Sequence, residues 1–202
     1  MRNMSDDHTH VQEFFTARAA DWDSRFPDDG PAYAAAVAGL GLREGARVLD
    51  AGCGTGRALT PLRAAVGASG VVLGVDLTPA MVEAAVRAGR GLHGRLLLAD
   101  VAALPLRSES LDAVFAAGLI AHLPHPAENL RELARVVRPG GTLALFHPIG
   151  RAALAARQGR QTTPADLRAE GNLGPLLAGS GWHMTSYMDE DARFLALAVR
   201  SA

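Results

Sequence analysis

The chain has 202 residues, of which 49% are hydrophobic and 20% charged, so it has the composition of a folded domain and not that of a disordered chain. Its 20 basic residues are all Arg and are balanced by 21 acidic residues, which excludes a global positive field that would attract nucleic acid or an anionic membrane. At this length we expect one domain, residues 1–202, whose core needs neither disulfides nor a structural metal.

Cysteine usage and hydropathy indicate the compartment. The single cysteine, Cys53, leaves no internal disulfide and no zinc cluster, which favours a reducing interior. No apolar run approaches the roughly 18 residues of a membrane span, and the first residues lack the basic end and apolar stretch of a signal peptide. We therefore expect a cytoplasmic protein with no membrane, nucleic-acid or metal partner, and a homodimer is compatible with the sequence.

Residues 1–40 are predicted to form an N-terminal helical cap. Apolar side chains recur near helical spacing over residues 11–26, and Pro31 marks the start of a second short helix. Half of the aromatic residues lie in this segment, either as a lid over a ligand or as ordinary packing, and the sequence leaves both interpretations open. The two interpretations apply to four of these five aromatic side chains, Phe14, Phe15, Trp22 and Tyr33.

From residue 41 onward, short apolar segments bounded by Gly and Asp alternate with segments of helical length. The predicted strands are 47–52, 71–76, 95–100, 111–117 and 142–147, and the predicted helices between them are 55–67, 79–89 and 126–138. Right-handed crossovers then give a doubly wound α/β fold, a parallel sheet with helices on both faces that binds ligands beyond the carboxyl ends of its strands. We expect residues 41–202 to form this core.

The tail departs from this alternation. Residues 163–182 are predicted to form one or two helices, and residues 182–202 two strands joined by a tight acidic turn at 189–191. Because so short a turn joins only antiparallel neighbours, one of these strands must run against the others. Before the tail, the Arg-containing stretch 150–160 is either an exposed amphipathic segment or a contact for an anionic ligand.

The most informative segment is VLDAGCGTG, in which an apolar strand ends at Asp50 and turns through Gly52, Gly54 and Gly56 into a helix. Glycines permit positive φ and a close approach of backbone to a ligand, and the helix start offers unpaired N–H groups. Asp50 would repel a pyrophosphate, and Arg57 stands where a dinucleotide fingerprint needs its last glycine. The loop therefore favours a ligand with a cationic amine, and Cys53 inside it is interpreted as a small buried side chain.

Acidic residues also end the next two strands. Asp76 ends the second strand, 20 residues after Gly56, where an acid accepts hydrogen bonds from ribose hydroxyls. Asp100 ends the third strand, where a carboxylate accepts from an exocyclic adenine amine while the backbone beside it contacts the ring edge. The pattern predicts a nucleoside ligand.

At this point the sequence resembles the class I S-adenosylmethionine-dependent methyltransferases of the small-molecule type. The resemblance covers about residues 40–148 and rests on four motifs in order, VLDAGCGTGRAL, VVLGVDLTPAMVEAA, LLLADVAALPLRSESLDAVFAAGLIAHL and LARVVRPGGTLAL. It implies a Rossmann-like seven-stranded sheet with an antiparallel last strand. It also implies transfer of a methyl group from S-adenosylmethionine to an O, N or C nucleophile of a small molecule, releasing S-adenosylhomocysteine without a metal.

The resemblance further implies a cofactor site built at the ends of the first four strands. Its members are Asp50, Gly52 and Gly54 for the methionine moiety, Asp76 for the ribose, Leu77 and Met81 beside the adenine, Asp100 and Val101 at the adenine edge, and Ala116 and Ala117 near the amine and the sulfur.

Two histidines are candidates for a general base, which a hydroxyl or carbon acid would need and a neutral amine would not. His122 lies in the loop after the fourth strand, where its alternative role is to shape the loop beside the cofactor. His147 ends the fifth strand, where its alternative is a partly solvated strand-end residue. The sequence does not decide between these roles.

Two further functions remain open: a non-methylating reaction in secondary metabolism that uses the same cofactor pocket, and a non-catalytic binding module. A nucleic-acid or protein methyltransferase is disfavoured, because the charge is balanced and no polar amide-binding motif follows the fourth strand, where the sequence reads AAGLIAHLP.

Overall fold

The structure, a computed structural model, describes residues 4–25 and 29–202, so Phe26 at the end of the first predicted helical segment lies outside the described residues. The helices are α1 Met4–Thr16, α2 Gly30–Gly39, α3 Leu59–Val66, α4 Pro79–Arg87, α5 Pro126–Val136, α6 Arg151–Arg157 and α7 Glu170–Ala178. The strands are β1 Arg47–Ala51, β2 Val71–Asp76, β3 Arg95–Leu98, β4 Leu111–Ala117, β5 Val137–His147, β6 Trp182–Glu190 and β7 Arg193–Arg200.

Seven strands form one sheet in the order β3-β2-β1-β4-β5-β7-β6. β1 to β5 pair in parallel, whereas β7 runs antiparallel between β5 and β6. This confirms the predicted doubly wound, mostly parallel sheet with a reversed last strand. Because the strand order changes direction between β1 and β4, the carboxyl ends of these two strands flank the crevice in which such sheets bind ligands.

Alternate residues of the central strands face two hydrophobic layers. In β1, Val48 packs in the layer that contains residues of α2 and α3, and Leu49 in the layer that contains residues of α5 and α7. Trp182 of β6 is buried in the second layer, and its Nε1 donates to the carbonyl oxygen of Leu130 at 2.9 Å, which satisfies the indole. Helices therefore cover both faces of the sheet.

The N-terminal segment divides into two parts with different surroundings. α2 packs against α3, β5 and β7, and its Ala36 and Val37 are buried in the first layer. α1 and the 3₁₀ turn Ala19–Asp21 instead contact α4. Of the segment that the sequence sets apart as a cap, the part up to Arg25 lies over the site, whereas α2 packs with the body.

Two features of the second half differ from expectation. β5 begins at Val137, not at residue 142, because Val137 already has extended backbone and pairs with Leu111 before the register with β4 shifts. Asp189, expected in the acidic turn, lies in β6, where its carboxylate binds Arg151 with Oδ2 2.9 Å from Nε. The turn itself consists of residues 191–192.

None of the helices in residues 4–25 and 29–202 is both long enough and apolar enough to cross a lipid bilayer.

Candidate functional site

A cavity of about 710 Å³ opens at the carboxyl edge of the parallel strands, beside α1. Its volume lies within the range of about 300–1,000 Å³ that is usual for small-molecule sites. Every predicted cofactor or catalytic residue lines it: Asp50, Gly52, Gly54, Asp76, Leu77, Met81, Asp100, Val101, Ala116, Ala117, His122 and His147. The fold therefore brings together residues from the ends of β1, β2, β4 and β5, from the connections that follow β1 to β4, and from α4.

The loop between β1 and α3 turns through three glycines. Gly52, Gly54 and Gly56 have φ angles of 68°, 53° and 80°, a region that other residues adopt only with strain. A Cβ at Gly52 would also lie 2.9 Å from Cδ1 of Leu119. Because these positions carry no side chain, the backbone of the loop can contact a ligand directly.

Cys53 lies within this loop, and its side chain packs against β2. Its side chain is buried, and a Cβ at Gly74 in β2 would lie 3.1 Å from its Sγ. Burial raises the pKa of the thiol, and the neighbouring Asp50 and Asp76 raise it further. A protonated, enclosed thiol is not a nucleophile, which supports the interpretation of Cys53 as a packing residue.

Asp50 lies next to the end of β1 with its side chain withdrawn from water. Neither carboxyl oxygen has a hydrogen-bond partner among the described residues, which is unusual for a buried polar group. Burial, reinforced by the nearby Asp76, raises the pKa of Asp50 to about 8. A buried carboxyl without a donor is suited to a ligand that supplies positive charge and N–H groups, such as an ammonium.

Asp76 ends β2 beside Asp50 and is held in a fixed orientation. Its Oδ2 accepts from the backbone N–H of Gly54 and its Oδ1 from that of Thr78, both at 2.8 Å. Burial raises the pKa of Asp76, and these hydrogen bonds oppose the rise. Each oxygen keeps acceptor capacity for a further donor, as two vicinal hydroxyls would provide.

The predicted adenine residues form an apolar slot with one polar edge. Met81 and Val101 are buried, and Leu77 lines the cavity between the ends of β2 and α4. Asp100 follows β3, where its Oδ1 accepts from the N–H of Ala102 at 2.8 Å. Such a slot fits a flat heteroaromatic ring whose edge carries hydrogen-bonding groups.

Both candidate bases face the cavity. The ring of His122 lies 5.0 Å from that of Phe15, and Nδ1 of His147 lies 2.8 Å from the carbonyl oxygen of Ile149. Burial lowers the pKa of each imidazole, and the positive charge of Arg168 lowers it further. Both histidines are therefore neutral at pH 7 and able to accept a hydrogen bond or a proton.

The aromatic residues of the N-terminal segment serve two roles. Phe14, Phe15 and Trp22 line the cavity near His122, with Phe14 and Phe15 edge to face at 5.1 Å. Tyr33 also lines the cavity but packs mainly on the sheet, its ring 5.0 Å from that of Phe146. The lid interpretation therefore fits the first three and the packing interpretation fits Tyr33.

A cluster of Asp23, Thr55 and Arg90, which we call the cap clasp, ties the N-terminal segment to the glycine loop. Asp23 Oδ1 accepts from the Thr55 hydroxyl and its Oδ2 from Nη2 of Arg90, both at 2.7 Å. Arg90 also donates to the carbonyl oxygen of Thr55 at 2.7 Å. Burial raises the pKa of Asp23, but these partners outweigh it and hold the pKa below its usual value.

Two further contacts extend this attachment. Gln12 of α1 donates from Nε2 to the carbonyl oxygen of Leu77 at 2.9 Å, and Arg57 forms an ion pair with Asp29. In the sequence, Arg57 stands out only as a departure from the dinucleotide fingerprint, and Asp23 and Asp29 do not stand out at all. No local signal marks them, since Asp23 lies 32 residues from its partner Thr55.

The stretch after β5 lines the cavity instead of lying apart from it. Arg151 and Leu154 of α6 and Arg168 before α7 contribute to the wall. Arg151 binds Asp189, and Arg168 binds Asp166 through Nε at 3.2 Å and Nη2 at 3.1 Å. Part of the stretch 150–160 therefore borders the cavity, while residues 156–160 are exposed to solvent.

Comparison with known proteins gives concordant matches. The family described as "Methyltransferase domain" matches residues 49–145. Methyltransferase GfsG of Streptomyces halstedii is 37% identical over 120 residues, which are 57% of this chain and 42% of that protein. Trans-aconitate 2-methyltransferase of Methylobacterium nodulans is 38% identical over 134 residues, 64% of this chain and 50% of that protein.

The solved structures agree over a larger part of the chain. A SAM-dependent methyltransferase from Aquifex aeolicus superposes with a TM-score of 0.73 at 25% identity and covers 92% of this chain and 98% of that one. The two curated relatives, in contrast, are matched over half of their length or less. The matched region begins within β1, contains the glycine loop, Asp76 and β2 to β4, and ends within β5. Residues 49–145 therefore carry a methyltransferase domain, and the chain has the fold of the S-adenosylmethionine-dependent methyltransferases.

Proposed function

We propose that this protein transfers a methyl group from S-adenosylmethionine to a small-molecule nucleophile and releases S-adenosylhomocysteine. The observation that carries the proposal is Asp50, a buried carboxyl group without a hydrogen-bond partner among the described residues, placed beside a glycine loop and next to Asp76. This combination matches a ligand that carries an ammonium group and a ribose, and it does not suit a pyrophosphate.

In this proposal, the cofactor residues bind S-adenosylmethionine and orient it. Asp50 pairs with the α-ammonium, and the backbone at Gly52 and Gly54 contacts the methionine moiety. Asp76, held by two backbone N–H groups, accepts from the ribose hydroxyls. The remaining members of the cofactor set are Leu77, Met81, Asp100 and Val101 around the adenine, and Ala116 and Ala117 near the amine and the sulfur.

The cofactor supplies a sulfonium methyl group, and the chain supplies alignment and exclusion of water. In an in-line methyl transfer the charge on sulfur disappears, so a dry, rigid surround accelerates the reaction. The segment from α1 to Arg25 covers the cavity, and Phe14, Phe15 and Trp22 exclude water beside His122. His122 and His147 are the candidates to accept a proton when the acceptor is a hydroxyl or carbon acid.

Calorimetric titration of cofactor-free protein with S-adenosylhomocysteine, and separately with NAD, tests the proposal. We expect micromolar binding of the first ligand alone, and a loss of at least tenfold for Asp76→Ala, because a hydrogen bond to a charged group contributes about 1.5–3 kcal/mol. Asp112→Ala, at the opposite end of β4, is the matched control and should bind normally. Folded wild-type protein that does not bind S-adenosylhomocysteine would contradict the proposal.

Methyl transfer itself is tested by product analysis. Release of S-adenosylhomocysteine together with a methylated acceptor supports it. Turnover of an acceptor without methylation would instead point to the non-methylating alternative that the sequence leaves open.

A further inference from the structure

The cavity is electrostatically divided. The half at the ends of β1 to β3, which we call the cofactor half, contains the acids Asp50, Asp76 and Asp100. The other half, lined by residues 11–25 and 118–168 and called the acceptor half, contains five arginines but only one acid, Asp166, among the described residues. These arginines are Arg18, Arg25, Arg151, Arg160 and Arg168. The acceptor half is therefore positive.

Ion pairing does not remove this excess of charge. Arg151 and Arg168 share Asp166 and Asp189, which balances two of the five cations. Arg18 lies over the ring of Phe14 at 3.7 Å and donates to the Phe14 carbonyl, and neither contact neutralises its charge. Within the described part of the chain, no carboxylate pairs with Arg18, Arg25 or Arg160.

Arg168 is the arginine best placed to contact a ligand. Its side chain is 15% exposed and is oriented by Asp166 through Nε and Nη2, while Tyr187 donates to its backbone carbonyl at 2.9 Å. Nη1 has no hydrogen-bond partner among the described residues. A guanidinium that is oriented on one side and has unused donors on the other is suited to a planar anion.

Two neutral imidazoles border the same space. The charge of Arg168 reaches both His122 and His147, since it lowers the pKa of each after the larger effect of burial. The histidines therefore contribute hydrogen-bonding groups and no positive charge at neutral pH, and Arg168 lines the same cavity and carries a positive charge.

The wall above these groups is aromatic. The Phe15 ring lies 5.0 Å from that of His122 and 5.5 Å from that of Trp22, and Phe14 lies 5.1 Å from Phe15. Aromatic edges and faces at these distances pack well against a flat, unsaturated body.

We propose that the acceptor is an organic anion with a planar unsaturated body, and that Arg168 is the residue that selects its carboxylate or phenolate group through Nη1. This inference rests on the proposed function, because it assigns the acceptor half of the same cavity. It adds the charge and shape of the acceptor, which the cofactor residues do not specify.

Binding of matched probes to protein loaded with S-adenosylhomocysteine tests the proposal. The probes are benzoate, cinnamate and 2-naphthoate, each compared with its neutral primary amide by calorimetry. We expect at least one carboxylate to bind roughly tenfold more tightly than its amide, and this preference to decline with rising salt. Arg168→Gln should remove the preference and leave the affinity for S-adenosylhomocysteine unchanged, whereas Arg131→Gln, at an exposed position of α5, should change neither.

The inference would be overturned if the wild-type protein bound every amide as tightly as its carboxylate, or bound none of the probes. It would also be overturned if the Arg168→Gln protein kept the preference for the carboxylate. If Arg168→Gln does not fold, Arg168→Lys replaces it: this variant keeps the charge but loses the planar pair of guanidinium donors, so the preference for the carboxylate should weaken, and an unchanged preference would count against Arg168. The comparison is repeated without S-adenosylhomocysteine, so that failure of cofactor binding, which contradicts the proposed function, is separated from failure of anion selection.

Discussion

At the scale of single residues, the acids at the strand ends are the features most open to prediction from sequence. Asp50, Asp76 and Asp100 each follow an apolar run, and the carboxyl ends of parallel strands meet at one edge of a sheet. The hydrogen-bond partners and pKa values of these acids are not predictable from the sequence, because they depend on burial and on contacts between distant parts of the fold. Asp50 has no partner among the described residues, while Asp76 is held by two backbone N–H groups.

The raised pKa of Asp50 predicts that binding of S-adenosylhomocysteine releases a proton. With a pKa of about 8, Asp50 is mostly protonated at pH 7 before a ligand binds. A bound ammonium stabilises the carboxylate and lowers this pKa, so the proton must leave. Titration with S-adenosylhomocysteine at pH 7, in buffers of different ionisation enthalpy, should show release of close to one proton per ligand. Release should fall as the pH rises above 8, where Asp50 is already ionised.

Asp50→Asn is the control for this measurement, since its side chain carries no titrating proton. We expect it to bind more weakly and to release none. Wild-type protein that binds S-adenosylhomocysteine with no net proton release at pH 7 would argue against the pairing of Asp50 with the ammonium.

Gly52 gives a second prediction at this scale. Gly52→Ala imposes a positive φ on alanine and places a Cβ 2.9 Å from Leu119, so we expect a loss of about 1–3 kcal/mol in unfolding free energy and weaker cofactor binding. Denaturant unfolding measures the stability. Gly171→Ala in α7, where the added Cβ meets nothing within 4 Å, should be neutral or slightly stabilising. Equal stability of the two variants would refute this account of the loop.

At the scale of elements, local periodicity identified the five parallel strands, but the attachment of the cap depended on tertiary contacts. The Asp23 carboxylate contacts Thr55, in the loop after β1, and Arg90, in the turn after α4, and both residues are distant from it in sequence. For the same reason Asp189, which looks like a turn residue in the sequence, is a strand residue bound to Arg151. Contacts between residues so far apart in the sequence cannot be predicted from local sequence patterns.

The cap clasp predicts a kinetic effect. Asp23→Asn removes the charge that binds Arg90, so the segment from α1 to Arg25 should open more readily. We expect S-adenosylhomocysteine to dissociate several-fold faster, as followed by stopped-flow displacement. Asp21→Asn, a neighbouring exposed acid, is the matched control and should leave the rate unchanged. Identical dissociation rates for the two variants would show that the clasp does not retain the ligand.

At the scale of the whole molecule, the alternation of strands and helices predicts a doubly wound, mostly parallel sheet, whereas the strand order comes from the structure. The reversed strand followed from the short turn, and its place between β5 and β6 is now seen in the structure. The division of residues 1–40 could not be foreseen, since α2 resembles a cap helix in sequence but is buried against the sheet.

The expectation of one domain is testable by calorimetry. Both hydrophobic layers share the same sheet, so heat should unfold the protein in one cooperative transition. S-adenosylhomocysteine at 100 times its Kd should add about 2.7 kcal/mol, which raises Tm by roughly 5–10 °C for a chain of this size. Two separate transitions in the unliganded protein would contradict a single domain.

The most direct test of the account is a crystal structure of the protein with S-adenosylhomocysteine. We predict that the ligand lies in the cofactor half, with its amine within about 3 Å of Asp50, its ribose hydroxyls on Asp76 and its adenine between Leu77 and Val101. A ligand bound elsewhere, or one whose amine points away from Asp50 while Asp50 remains without a partner, would contradict the assignment of this cavity.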